Sequence, residues 1–108
     1  MARPTSDLPI LVLTILRHQE RHGYGVAEEI KTRSDGDLEF KRGAIYPILA
    51  SLEADGLVIG RDSQESRRTI RYYQLTEQGE RHLEAQRRTF HKTLRGKLKI
   101  IGEVTGNV

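Results

Sequence analysis

Apolar residues recur along this chain in three rhythms, and each rhythm predicts a different element. Leu8, Ile10, Leu11, Val12, Leu13, Ile15 and Leu16 cover nearly the whole circumference of a first helix. Ser6 or Asp7 is placed to cap it, Pro9 falls in its first turn, and the pattern ends near His18 or Gln19. A surface helix keeps one polar face. This one has none, which predicts burial on all sides: one side in its own core, the other against a second chain. After the breaker-rich His22-Gly23-Tyr24-Gly25, Val26, Ala27 and Ile30 form the inner stripe of a second helix. That helix runs from about Tyr24 or Gly25 to Lys31 or Arg33.

Ser34-Asp35-Gly36-Asp37 reads as a turn, and Leu38-Glu39-Phe40 as an extended lead into a third helix. There Ile45, Ile48, Leu49 and Leu52 fall at i, i+3, i+4 and i+7. Pro47 lacks an N–H and is tolerated in a first turn only, so the helix is predicted from near Gly43 to about Asp55. Gly56 is placed as the left-handed residue after it, with Leu57 folding back. Two helices joined by a short turn, the second with Lys41 and Arg42 at its entrance, make a helix-turn-helix pattern.

Beyond Gly56 the period changes to 2. Leu57 to Asp62 reads as a strand, Ser63 to Ser66 as a polar turn, and Thr69 to Leu75 as a return strand. Ile70 and Tyr72 share one face; Arg71, Tyr73 and Leu75 share the other. Arg67, Arg68 and Arg71 cluster at and just after the tip, the arrangement of a wing. Thr76 caps a last helix with Glu77 and Glu80 in its first turn. Leu83, Phe90, Leu94, Leu98 and Ile101 stripe one side of it, and Arg88, Lys92, Arg95 and Lys99 the far side. An amphipathic helix with no later element to cover it asks for a partner helix. Arg87 projects into the apolar stripe. Gly79 costs about 1 kcal/mol relative to Ala, Gly96 marks a kink or fraying, and Gly102 to Val108 reads as a disordered tail.

Composition narrows the function classes. The chain has 108 residues, 36% hydrophobic and 31% charged, enough for one domain with a modest core that a partner subunit would complete. Lys and Arg number 18 against 15 Asp and Glu, a mild excess of +3 that permits nucleic acid without demanding it. No cysteine is present, which removes thiolate metal sites, disulfides and cysteine nucleophiles together. His18 and His22 form a spaced pair with no convergent carboxylate or cysteine, so no metal ligand set is expected. No phosphate loop, nucleophile–base pairing or other cofactor motif is visible, and an enzyme is not expected. The apolar run Leu8 to Leu16 is too short to span a bilayer, and RHQERH follows where a leader would need small residues. These features predict a cytoplasmic protein with no membrane association.

Three stretches carry a family resemblance: His22-Gly23-Tyr24, Gly43-Ala44-Ile45-Tyr46-Pro47 through Leu52-Glu53-Ala54-Asp55-Gly56-Leu57, and Arg71-Tyr72-Tyr73-Gln74-Leu75-Thr76. In this order and spacing, over roughly residues 8 to 85, the chain resembles the PadR family of bacterial transcriptional regulators, in its short subgroup with a single C-terminal helix. The resemblance implies a homodimer in which the first and last helices of both subunits pack together. In some relatives a cavity between the subunits accepts flat aromatic compounds. Family members commonly enter the recognition helix through Ser/Thr-Pro-Gly-Thr, where this chain has Lys41-Arg42-Gly43-Ala44. Ala44 thus lacks a hydroxyl that could touch phosphate, and Arg42 replaces a proline. The wing begins Ser66-Arg67-Arg68 in place of the usual Gly-Arg.

The expected fold is therefore mainly α with a small β hairpin: a winged helix-turn-helix over residues 1–75, then a C-terminal dimerisation helix and tail over residues 76–108. The candidate DNA-contacting residues are Tyr24, Lys41, Arg42, Gly43, Ala44, Tyr46, Ser51, Arg67, Arg68 and Arg71. Each has a plainer reading beside it. Lys41 and Arg42 either clamp phosphates, with Arg42 reaching a guanine edge, or form a solvated pair. Tyr46 offers a phosphate-contacting hydroxyl by resemblance, or packs its ring on the wing. Tyr24 reaches the DNA backbone by resemblance, or packs against helix three. The wing arginines track a groove or sit on a solvated tip. Leu8, Leu11, Val12, Ile15, Leu83, Phe90, Leu94, Leu98 and Ile101 are the expected dimer seam, with Phe90 either lining an effector pocket or serving as ordinary interface core. The basic stripe on the last helix reads as its water face. The function expected is a homodimeric repressor on an inverted-repeat operator in double-stranded DNA, released by a small aromatic effector. The rival is a winged helix used as a protein-interaction module, against which the charged entrance and wing argue.

Overall fold

The computed structural model describes residues 7–104, in the order α1 (Leu8–His18), β1 (Arg21–His22), α2 (Gly23–Arg33), α3 (Arg42–Ala54), β2 (Val58–Glu65), β3 (Arg68–Leu75) and α4 (Glu77–Ile101). Four helices and the sheet pack around one core in which Val12, Leu13, Val26, Ile45, Leu49, Val58 and Leu83 are fully buried. The sheet is antiparallel with strand order β1-β3-β2, so β3 lies in the middle. Tyr73 of β3 is buried and Leu75 half-buried against the core, the face expected from alternation.

The helix ends follow their local chemistry. Asp7 is the N-cap residue of α1, with Pro9 in the first turn. Gly56 adopts φ 76° after α3; its N–H donates to the Glu53 carbonyl at 3.0 Å, and the Leu57 N–H donates to the Leu52 carbonyl at 2.9 Å. That pair of bonds is a Schellman motif. Thr76 then joins this turn to α4. Its Oγ1 donates to the Gly56 carbonyl at 2.8 Å and accepts the Gly79 N–H at 2.9 Å. At Gly79 an added Cβ would lie 2.0 Å from the Leu57 carbonyl oxygen. The glycine that looks costly on helix propensity is the residue that lets α4 dock.

Several expectations are corrected. The sheet has a third strand, β1, at the edge of the stretch read as a turn, with Arg21 opposite Tyr73 and His22 opposite Tyr72. The polar run Ser63 to Glu65 belongs to β2 and not to the turn, because its backbone pairs with Arg68 to Ile70. Only Ser66 and Arg67 make the tip, with φ of 48° and 69°. Two positive φ values define the type I′ geometry that the strand twist favours, without its usual Asn-Gly. Pro47 lies in the second turn of α3, which begins at Arg42, so the Gly43 carbonyl loses its helical donor. Gly96 interrupts nothing: α4 is assigned as one helix from Glu77 to Ile101, and Gly102 ends it at φ 85°. Residues 105–108 of the expected tail lie outside the described residues.

The seam residues divide into two sets. Leu8, Val12, Ile15 and Leu83 are buried within this one chain, so they have little surface left for a partner. The helix that reads as greasy all round is covered largely by its own α2, α3 and α4. Leu11, Phe90 and Leu98 are half-buried, while Leu94 and Ile101 are exposed at 38% and 77%. Arg17 ties α1 to α4 through Glu80 at 2.9 Å and Glu84 at 3.0 Å.

Candidate nucleic-acid interface

Helix α3 buries Ile45, Leu49 and Leu52 and turns Gly43, Ala44, Tyr46, Pro47, Ala50 and Ser51 outward. Lys41 is the N-cap residue in an extended conformation and its side chain makes no capping bond. The exposed entrance therefore combines two cations with the positive end of the helix dipole. Lys41 makes no ion pair among the described residues, and Arg42 lies over the Tyr24 ring with its guanidinium carbon 4.9 Å from the centroid. Tyr24 in turn donates its hydroxyl to Glu28 at 3.1 Å. Tyr24 thus touches helix three through Arg42 while its side chain stays 46% exposed.

Arg42 is one end of a ladder of rings. Tyr24 stacks on His22 at 6.3 Å, His22 meets Tyr72 edge-on at 5.5 Å, and the Arg61 guanidinium lies 5.0 Å over Tyr72. The ladder joins the start of α3 to the wing across β1. His22 holds its place because Nδ1 accepts the Gly25 N–H at 3.0 Å, capping α2. Sequence reading treated His22 as a turn residue and missed Arg61 and Tyr72. The signal for His22 was its position three residues before the amide it caps; the other two depended on a strand pairing that no local pattern announces. Pro47 and Ala50 share the exposed outer face of α3 with Tyr46 and Ser51.

Tyr46 reaches the start of α2 and lies close enough to Tyr73 of the wing to act on its phenol. The Tyr46 ring covers Gly23, where an added Cβ would lie 2.5 Å from the ring edge. The side chain remains 45% exposed, and its hydroxyl makes no hydrogen bond among the described residues. This explains the glycine of the His-Gly-Tyr stretch in steric terms.

The three wing arginines separate. Arg67 and Arg68 are exposed and make no ion pair among the described residues. Arg71 donates to Glu53 at 2.6 Å and to Asp62 at 2.8 Å, tying the wing to α3. Those two carboxylates, Glu53 first, raise its pKa. Its charge is neutralised inside the subunit, so it leaves the set of available cations. Arg61 makes a two-pronged pair with Glu20 at 2.8 and 2.6 Å. That hydrogen bond holds the Glu20 carboxyl below its ordinary range. The Tyr72 hydroxyl donates to Glu65 at 2.8 Å, which raises the phenol pKa. Burial raises that of Tyr73.

Away from this face, a groove of about 570 Å³ runs between the start of α1 and the middle of α4, with Pro9, Ile10, Leu13, Phe90 and Leu94 among its walls. Among the described residues no group of three or more His, Asp or Glu could hold a metal ion, and no helix is long and apolar enough to cross a membrane.

A helix-turn-helix followed by a sheet-built wing is the architecture of a winged-helix protein. The chain belongs to the PadR-like family of transcriptional regulators, whose sequence pattern matches residues 12–85. It is 32% identical over 81 residues to the transcriptional regulator YqjI of Escherichia coli K12, an alignment covering 75% of this chain and 38% of that protein. The chain thus spans well under half the length of the curated relatives it matches. Bacillus subtilis PadR, solved in complex with operator DNA, superposes with a TM-score of 0.69 at 27% identity, covering 77% of this chain and 47% of that one. A PadR family transcription regulator from Clostridium difficile R20291 superposes with a TM-score of 0.75 at 25% identity, covering 90% of this chain and all of that one.

Proposed function

We propose that this chain is a sequence-specific DNA-binding repressor that acts as a homodimer on an inverted-repeat operator. The observation that carries the reading is a difference in how cations are used. Arg17, Arg21, Lys31, Arg33, Arg61 and Arg71 are each paired with an acid, whereas Lys41, Arg42, Arg67 and Arg68 at the α3 entrance and wing tip make no ion pair among the described residues. Unpaired cations at a helix N-terminus and at a hairpin tip are what phosphate contact requires. The operator complex of Bacillus subtilis PadR supports the same use of this fold. Tyr46 and Ser51 on the outer face of α3 supply hydroxyls to phosphate, and Gly43 and Ala44 let the backbone approach closely.

Dimerisation follows from the apolar residues that the subunit leaves uncovered: Leu11, Phe90, Leu94, Leu98 and Ile101. Two recognition helices about 34–36 Å apart would then enter successive major grooves. The groove walled by Phe90 and Leu94 fits a flat aromatic effector, which releases the repressor by changing how the subunits meet. A gel-shift series on the promoter of the chain's own gene tests the reading. It predicts a salt-sensitive, sequence-preferring complex. Arg42→Ala relaxes the preference, while Arg68→Ala weakens all sequences alike. Equal binding to promoter and random DNA by the native protein would refute it.

A further inference from the structure

Residues 85–102 hold six of the chain's 18 Lys and Arg and none of its 15 Asp and Glu, so the rest of the chain is net acidic. Within this stretch Arg88, Lys92, Arg95 and Lys99 fall on one line of α4, all exposed and without an ion pair among the described residues. Their spacings are i+4, i+3 and i+4, so each is a direct neighbour of the next, and like charges at these spacings oppose the helix. A face evolved only for solubility interleaves acids, as α2 does with Glu29 and Arg33 at 2.9 Å. This face does not. The line is about 16 Å long, from a rise of ~1.5 Å per residue. It lies across the helix from Phe90, Leu94, Leu98 and Ile101, so a second copy seated on the apolar side leaves it open.

We propose that this stripe is a second, sequence-independent contact for duplex DNA, holding phosphates outside the segment gripped by α3 and the wing. The inference rests on the reading that the chain works on DNA. A rigid line of cations with no acids suits a phosphate backbone, which is linear and uniformly charged and releases counterions when neutralised. The winged helix over residues 1–75 carries 11 Lys and Arg against 11 Asp and Glu, so the stripe supplies a net positive charge that the winged helix lacks.

The test uses the full chain and the variant R88Q/K92Q/R95Q/K99Q, glutamine keeping a helix propensity close to that of Lys and Arg. Binding is measured by fluorescence anisotropy on a random duplex of about 40 base pairs, longer than two half-sites one turn apart, from roughly 50 to 200 mM salt. The stripe predicts that the slope of log affinity against log salt falls by about 3 to 4, at ~0.9 per phosphate contact, with helix content and sedimentation unchanged. A slope change below about one unit overturns the proposal, as does a loss that appears only because the variant no longer dimerises. Vesicles of phosphatidylglycerol form a third arm. Binding to them that the variant loses, with DNA binding intact, also overturns it. K41Q/R42Q separates the two claims: if that variant loses promoter preference while the stripe variant keeps the native slope, the repressor reading stands and the stripe falls.

Discussion

The two halves of α4 share one helix and one hydrophobic period but live in different surroundings. In the first half Leu83 is fully buried, Gly79 presses on the Leu57 carbonyl, and Glu80 and Glu84 hold Arg17 of α1. In the second half Leu94 and Ile101 are exposed, a Cβ added at Gly96 would meet nothing within 4 Å, and the cations make no ion pair among the described residues. The period tells which residues share a face. What covers that face depends on the elements opposite it, and toward Leu94 a groove opens between α4 and the start of α1. The apolar residues of the second half are the part of the pattern this subunit leaves unsatisfied.

The contrast can be broken first by truncation. Leu83→Ala leaves a cavity in the core and should cost about 2–5 kcal/mol of unfolding free energy in a denaturant titration. Leu98→Asp should leave the melting of the subunit fold in place while dissociating the pair in sedimentation velocity. Equal losses of stability from both would erase the distinction between the halves. The two glycines give the next largest effect. Gly79→Ala should destabilise by about 1–3 kcal/mol because the new methyl meets backbone. Gly96→Ala should stabilise by up to about 1 kcal/mol, since it only restores helix propensity. A gain at both positions would contradict the close approach of α4 to Leu57.

A smaller effect separates the arginines of the wing. Arg68→Gln should reduce the salt slope of DNA binding by about one contact. Arg71→Gln should leave the slope alone and instead loosen the wing, read as faster amide exchange in β2 and β3. The smallest effect is in pH. The Glu20 carboxyl is held below its ordinary range by Arg61, so its contribution to wing stability is present above that range and is lost as pH falls through the lowered value. The Tyr72 pKa is raised by its bond to Glu65, so its contribution is present below the ordinary phenol value and is lost as pH climbs through the raised one. NMR resonances of the wing should therefore shift at both edges. Glu20→Gln should remove the acid edge, and Tyr72→Phe the alkaline one.

Much of the fold was legible in sequence because its signals are local. The Gly56-Leu57 end of α3, the Thr76 cap and the stripe Val26, Ala27 and Ile30 all appear where short-range patterns put them. What was not legible depends on distant partners. Strand β1 is two residues long and exists because β3 has a free edge. Arg71 looks like Arg68 along the chain and differs only because Glu53, 18 residues away, meets it. The first helix looked half exposed to a partner because periodicity cannot count how many neighbours one chain supplies. The cations of the candidate interface are visible in sequence as a set, but which of them stay free of an acid is settled only by the fold.

The most direct test of the account is the number of chains bound per duplex on the promoter of the chain's own gene, by analytical ultracentrifugation of protein and labelled DNA at equilibrium. Two chains on each duplex bearing the inverted repeat, and loss of that complex when half of the repeat is scrambled, is the predicted result. A single chain on each duplex, held equally well by scrambled DNA, would contradict it.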